Sequence, residues 1–100
     1  MQAKIIIKRK FIKGKQREII ALLRELHSGA LQKHGYISGE TLTSSEDPQT
    51  LVVIGSWQDM ESWIDWREND TRKTLEKMLE TYQETSSEYQ ELTLGTFIED

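Results

Sequence analysis

The sequence predicts an α+β domain of ferredoxin-like βαββαβ order: an antiparallel four-stranded sheet with helices on one face. Three observations predict it. Apolar residues recur at helical spacing in two separate windows, short branched-chain or alternating runs fill four others, and a polar turn containing the single proline joins two of those runs. A length of 100 residues fits one domain over 1–100, with little surplus core.

The first strand is expected over Ala3 to Ile12. It opens on three consecutive isoleucines and then alternates Arg9 and Phe11 with Lys8 and Lys10, so both faces are apolar at the start and one is wet at the end. Arg9 follows Ile5 and Ile7 on one face and is expected to reach water with its head. Lys13 to Lys15 turn the chain. A helix follows, with Ile19, Leu22, Leu23, Leu26 and Ala30 on one face against Arg17, Glu18, Arg24 and Glu25. Gly29 is expected to weaken this helix and Gly35 to end it. Tyr36 to Thr43 alternates as a second strand, in which Gly39 marks a bulge or a close approach.

Ser44 to Thr50 is a polar turn, so the second strand and the run Leu51 to Ile54 should form an antiparallel hairpin. Beyond Trp57, Asp59 reads as an N-cap and Glu61 sits in the positive first turn, with Met60, Trp63, Ile64 and Arg67 at helical spacing. Asn69, Asp70 and Thr71 offer a break and a fresh cap. Leu75, Met78, Leu79 and Tyr82 then fall at i, i+3, i+4 and i+7, and Tyr89 to Ile98 reads as the last strand.

Right-handed crossovers place the helices on one sheet face and leave the other open. Ile5 to Ile7 and Leu51 to Ile54 are continuous apolar runs, whereas strands with one wet face should alternate. A second copy is the economical cover, so a homodimer packed through the open sheet faces is expected. The chain has no cysteine, which removes disulfides and thiolate chemistry, and its net charge of −4 argues against a nucleic-acid partner. No apolar run spans a bilayer and the N-terminus lacks the flanks of a secretory signal, so no membrane partner and a cytoplasmic location are expected.

All three tryptophans lie between Leu51 and Trp66, and any pocket is expected near them. GYISGETL at 35–42, Asp47 and Pro48 in the loop, LVVIGSW at 51–57, and the spacing Trp57, Asp59, Glu61, Trp63, Trp66 resemble the antibiotic biosynthesis monooxygenase (ABM) family, whose members are dimeric α+β barrels. The resemblance runs from about Lys4 to Leu94. It implies one of several activities: cofactor-independent oxygenation of polycyclic quinols or anthrones, quinol oxygenation, or haem degradation. For the haem-degrading branch it implies an Asn on the first strand, a Trp after strand three and an iron-ligating His near position 76. Trp66 matches the Trp, but Glu76 stands at the histidine position and the first strand has no Asn, so haem degradation is not expected.

The cofactor-free branch implies an aromatic substrate that is deprotonated and reduces dioxygen itself, with no cofactor and no metal. The protein must hold it, favour its anion and exclude water. Trp66 is the catalytic candidate. Trp63, Trp66, Arg9, Tyr36 and Arg67 are the substrate-binding candidates, with Arg72 as a further cation and His27 or His34 as proton acceptor. Each has a plainer reading: Trp57 and Trp63 as core between helix and sheet, the histidines as surface or capping groups, Glu40 and Glu76 as bases only if buried. The competing function is a non-catalytic ligand-binding or regulatory dimer of the same fold.

Overall fold

A computed structural model describes residues 1–95 and orders them as β1 (Ala3–Lys10), α1 (Gln16–Leu31), β2 (Tyr36–Thr43), β3 (Thr50–Trp57), α2 (Met60–Arg67), α3 (Asp70–Glu80) and β4 (Glu88–Thr93). The strands form one antiparallel sheet in the order β2-β3-β1-β4, the ferredoxin-like arrangement the sequence predicts. The second helical unit is two helices, because each has its own local start. The Asp59 carboxylate accepts from the Ser62 amide at 2.8 Å, and the Asn69 side chain accepts from the Arg72 amide at 3.1 Å while its own backbone is extended.

Two expected strand ends differ. β1 stops at Lys10, and Phe11 makes a single bridge to Gln83 because the Ile12 amide turns to the Tyr82 carbonyl at 2.8 Å. β4 covers Glu88–Thr93, and positions 96–98 of the expected last strand lie outside the described residues. The β2 boundaries agree with the sequence reading. Gly35, at φ +86°, supplies the left-handed residue that stops the connection from α1, and its carbonyl accepts from the Gln58 amide at 2.6 Å. A bulge between Tyr36 and Ser38 shifts the register just before Gly39.

The two sheet faces have different fates. On the helix side Ala3, Ile5, Ile7 and Phe11 of the β1 segment are buried with Leu22, Leu26, Leu75, Leu79 and the three tryptophans. Burying a side chain such as Leu79 is worth about 2 kcal/mol, which makes this the main stabilising layer. On the other side, the register places Leu42 opposite Val52, Ile54 opposite Ile6, and Lys4 opposite Leu92. These five apolar residues run diagonally across the open face, where Leu42 and Leu92 are each 47% exposed. No helix among the described residues is long and apolar enough to cross a membrane.

Candidate functional site

Helix α1 packs on α3, and between it and the sheet lies a cavity of about 370 Å³. Its floor is β1 and β3: Ile5, Ile7 and Arg9 with Leu51, Val53 and Trp57. Leu51 and Val53 remain only part-buried although they face the helices, because the cavity stands over them. Trp63 and Trp66 close one side. Exposed Ile20, Arg24 and His27 of α1 face Gly39 and Thr41 of β2 across the mouth.

The tryptophans are held rigidly. Tyr36 and Trp57 meet edge to face with ring centroids 5.1 Å apart, and Trp57 and Trp63 follow at 6.0 Å. The Trp63 indole N–H donates to the Glu91 carboxylate, which holds that carboxyl below the usual glutamate range. Trp66 reaches across to α1, where its outer ring edge lies over Gly29. A methyl group at position 29 would sit 2.6 Å from that ring. Gly29 therefore leaves room for the indole, which the sequence reading of a weakened helix did not anticipate. Gly39 does the same for Tyr36, whose hydroxyl would meet a β-carbon there at 2.5 Å. Burial raises the Tyr36 phenol above its ordinary value, so it stays a protonated donor at neutral pH.

Arg9 is the main departure from the sequence expectation. Its head does not reach water: the residue is 4% exposed, and one terminal nitrogen donates to both oxygens of Glu76 at 2.8 Å. Arg72, one turn before Glu76 on α3, donates to the same carboxylate at 3.1 Å and to the Tyr89 hydroxyl at 2.8 Å, and Tyr89 in turn donates to Glu76 at 3.2 Å. This network ties β1, α3 and β4 together behind the cavity. Arg9 and Arg72 line the cavity itself, and Arg72 also lies over the Trp63 ring at 5.1 Å. The Arg9 Nε–H is buried and has no hydrogen-bond partner among the described residues.

Among the sequence candidates, the structure brings Trp63, Trp66, Arg9 and Tyr36 together around the cavity, with Arg72 and His27. Arg67 is not among them. It lies on the outer side of α2, paired with Glu68 at 2.9 Å and Glu91 at 2.7 Å, because the helical turn that aims Trp66 at α1 aims the next residue at β4. His34 and Glu40 are also away from the cavity, and Glu40 pairs with Ile54 on the strand register of the opposite face. Sequence reasoning missed Arg24 and Thr41 as wall residues, and it left His27 between proton acceptor and surface group; the residue is exposed at the cavity mouth. The signal for two of them was present: Ile20, Arg24 and His27 are spaced i, i+4 and i+7, a stripe beside the core face of α1. Among the described residues, no three His, Asp or Glu side chains gather as a metal site.

The profile of the Antibiotic biosynthesis monooxygenase family matches residues 3–78. The chain belongs to this family. No curated protein matches this ABM-family sequence. Several solved structures share the fold. A conserved protein from Methanosarcina mazei Go1 is 20% identical with a TM-score of 0.85, over 92% of this chain and 91% of that one. SnoaB, a cofactor-independent oxygenase from Streptomyces nogalater, is 13% identical with a TM-score of 0.80 over the whole of both chains. Rv0793 from Mycobacterium tuberculosis is 11% identical with a TM-score of 0.84, over 99% of this chain and 100% of that one. At such identities the likeness is one of fold.

Proposed function

We propose that this ABM-family protein is a cofactor-independent monooxygenase acting on a quinol-type or polycyclic aromatic small molecule. The observation that carries the proposal is the cavity: an apolar space of about 370 Å³ with indole walls and guanidinium groups, large enough for a flat ring system and floored by buried Ile5, Ile7 and Trp57. Ionisation of the substrate is the protein's task. His27 at the mouth takes the phenolic proton, and the Arg9 and Arg72 guanidinium groups stabilise the resulting anion in a low-dielectric setting. The anion passes one electron to dioxygen, and the radical pair collapses to a carbon–oxygen bond. Loss of water from the peroxide leaves one oxygen atom in the quinone product, so two electrons and two protons from the substrate balance the second oxygen. Trp66 and Trp63 stack on the ring and hold the reacting carbon in place.

Oxygen uptake with a panel of naphthoquinols and anthrones tests this. Turnover is expected with at least one, and Trp66→Phe should lower it roughly tenfold by loosening the ring's position. No turnover across the panel refutes the activity, and an unchanged rate in the variant refutes the role of Trp66. One observation favours the competing reading of a ligand-binding dimer without catalysis: among the described residues no carboxylate lines the cavity, leaving an exposed imidazole as the base. In both readings we propose a homodimer, because the diagonal of Leu42, Val52, Ile54, Ile6 and Leu92 leaves an apolar band on the open sheet face that a second copy would cover.

A further inference from the structure

The charge around the cavity is opposite to the charge of the molecule. The chain carries 13 basic and 17 acidic residues, yet three of its five arginines, Arg9, Arg24 and Arg72, line this one space. No acidic residue shares the wall among the described residues. Glu76, which compensates from behind, can neutralise only one of the two buried guanidinium groups it touches. Arg9, Arg72 and Glu76, each less than a tenth exposed, therefore carry one formal positive charge in excess, while Arg72 also lines an open groove on its other side with Glu68, Glu80 and Glu91. The cavity wall itself presents three guanidinium groups and no counter-charge among the described residues, and an anionic ligand would supply that missing charge.

The kind of anion follows from its acidity. A phenol has a pKa near 10 and arrives neutral at physiological pH, so it cannot supply the missing charge before the protein has removed its proton. A carboxylic acid, with a pKa of about 4, arrives ionised. We propose that the cavity selects flat aromatic carboxylates, with the carboxylate drawn to the arginine-lined wall and the rings lying against Trp63 and Trp66. Arg24, exposed at the mouth, adds electrostatic attraction on entry. This refines the substrate class of the site proposed above; it rests on the cavity being the ligand site and not on oxygen chemistry.

The test is equilibrium binding of a redox-inert pair. Quenching of tryptophan fluorescence at pH 7.5 is followed with 2-naphthoate, its methyl ester and 2-naphthol. The carboxylate should bind at least tenfold more tightly than either neutral analogue, and its advantage should shrink as salt is raised. Arg24→Gln removes one lining charge that lies outside the Glu76 network, and is expected to reduce the carboxylate's advantage severalfold. An ester or naphthol that binds as tightly as 2-naphthoate overturns the proposal, as does an absence of binding by all three. A preference undiminished in Arg24→Gln overturns the assignment of the attraction to that wall charge. If that variant does not fold, by circular dichroism, the wild-type comparison still decides the ligand class. Carboxylate preference without turnover of any quinol would refute the oxygenase alone, whereas turnover of neutral quinols without carboxylate preference would refute only this inference.

Discussion

Gly29→Ala tests whether the contact between α1 and Trp66 is as close as described. In an exposed helix interior this change would stabilise by about 1 kcal/mol, from helix propensity alone. Here the added methyl lies 2.6 Å from the outer ring of Trp66, a buried and rigid indole that has no flexible end to swing away. Overpacking of that kind costs about 1–3 kcal/mol, so the net effect is a loss of about 1 kcal/mol. Removing the outer ring removes the conflict. In a Trp66→Phe background the same Gly29→Ala change should stabilise by about 1 kcal/mol, a coupling of about 2 kcal/mol between the two sites. Urea unfolding followed by far-ultraviolet circular dichroism, at matched protein concentration, resolves this: 1 kcal/mol shifts the midpoint by about 0.7 M for a domain of this size. Gly29→Ala stabilising in both backgrounds would refute the packing argument.

Glu76→Gln leaves two buried guanidinium groups without a counter-charge, and should cost about 3 kcal/mol or more in thermal or urea unfolding; a loss below about 1 kcal/mol would show that the network is solvated. Glu91 carries a pH signature. Its carboxyl is held low chiefly by the Trp63 indole N–H, so its contribution is complete above the ordinary glutamate value of about 4.3 and disappears as pH falls through the lowered folded value. The stability difference between wild type and Glu91→Gln should therefore be constant from pH 7 to 5 and vanish on further acidification, and a difference that persists at pH 2 would contradict the assignment. On the open face, Ile54→Lys should convert a sedimenting dimer into single chains with the helices intact. A wild type already monomeric at micromolar concentration would refute the dimer.

What was legible in the sequence is what neighbours in the chain decide. Asp59 and Asn69 cap their helices through residues three places away, and Gly35 with the alternation of 36–43 marks β2 because backbone conformation and period are local properties. Arg9 was read with its head in water because its partner is 67 residues away, and spacing carries no information about such a pair. Arg67 was a pocket candidate as a cation next to Trp66 in the sequence, but one residue along a helix turns the side chain through about 100°, and it pairs with Glu68 and Glu91 instead. Gly29 looked like a defect because the tertiary partner that requires it, Trp66, belongs to another helix. The sequence located the pocket beside the tryptophans but not its size or its other walls, which arise from the distance at which α1 stands off the sheet.

The buried pairing of Arg9 with Glu76 also bears on how β1 finds its place. Three isoleucines in a row leave the centre of this strand ambiguous between its two faces, since pairing displaced by one residue would present Ile6 to the helices in place of Ile5 and Ile7. The displaced strand, however, would drive Lys4, Lys8 and Lys10 beneath α1 and α3 and carry Arg9 to the opposite side, out of reach of the carboxylate that waits on α3. The cost of burying three lysines thus sets the register first, and the ion pair, which adds little net stability over an apolar substitute, reinforces that choice. The alternation Lys8, Arg9, Lys10 is the punctuation that tells an ambiguous run of isoleucines where to start.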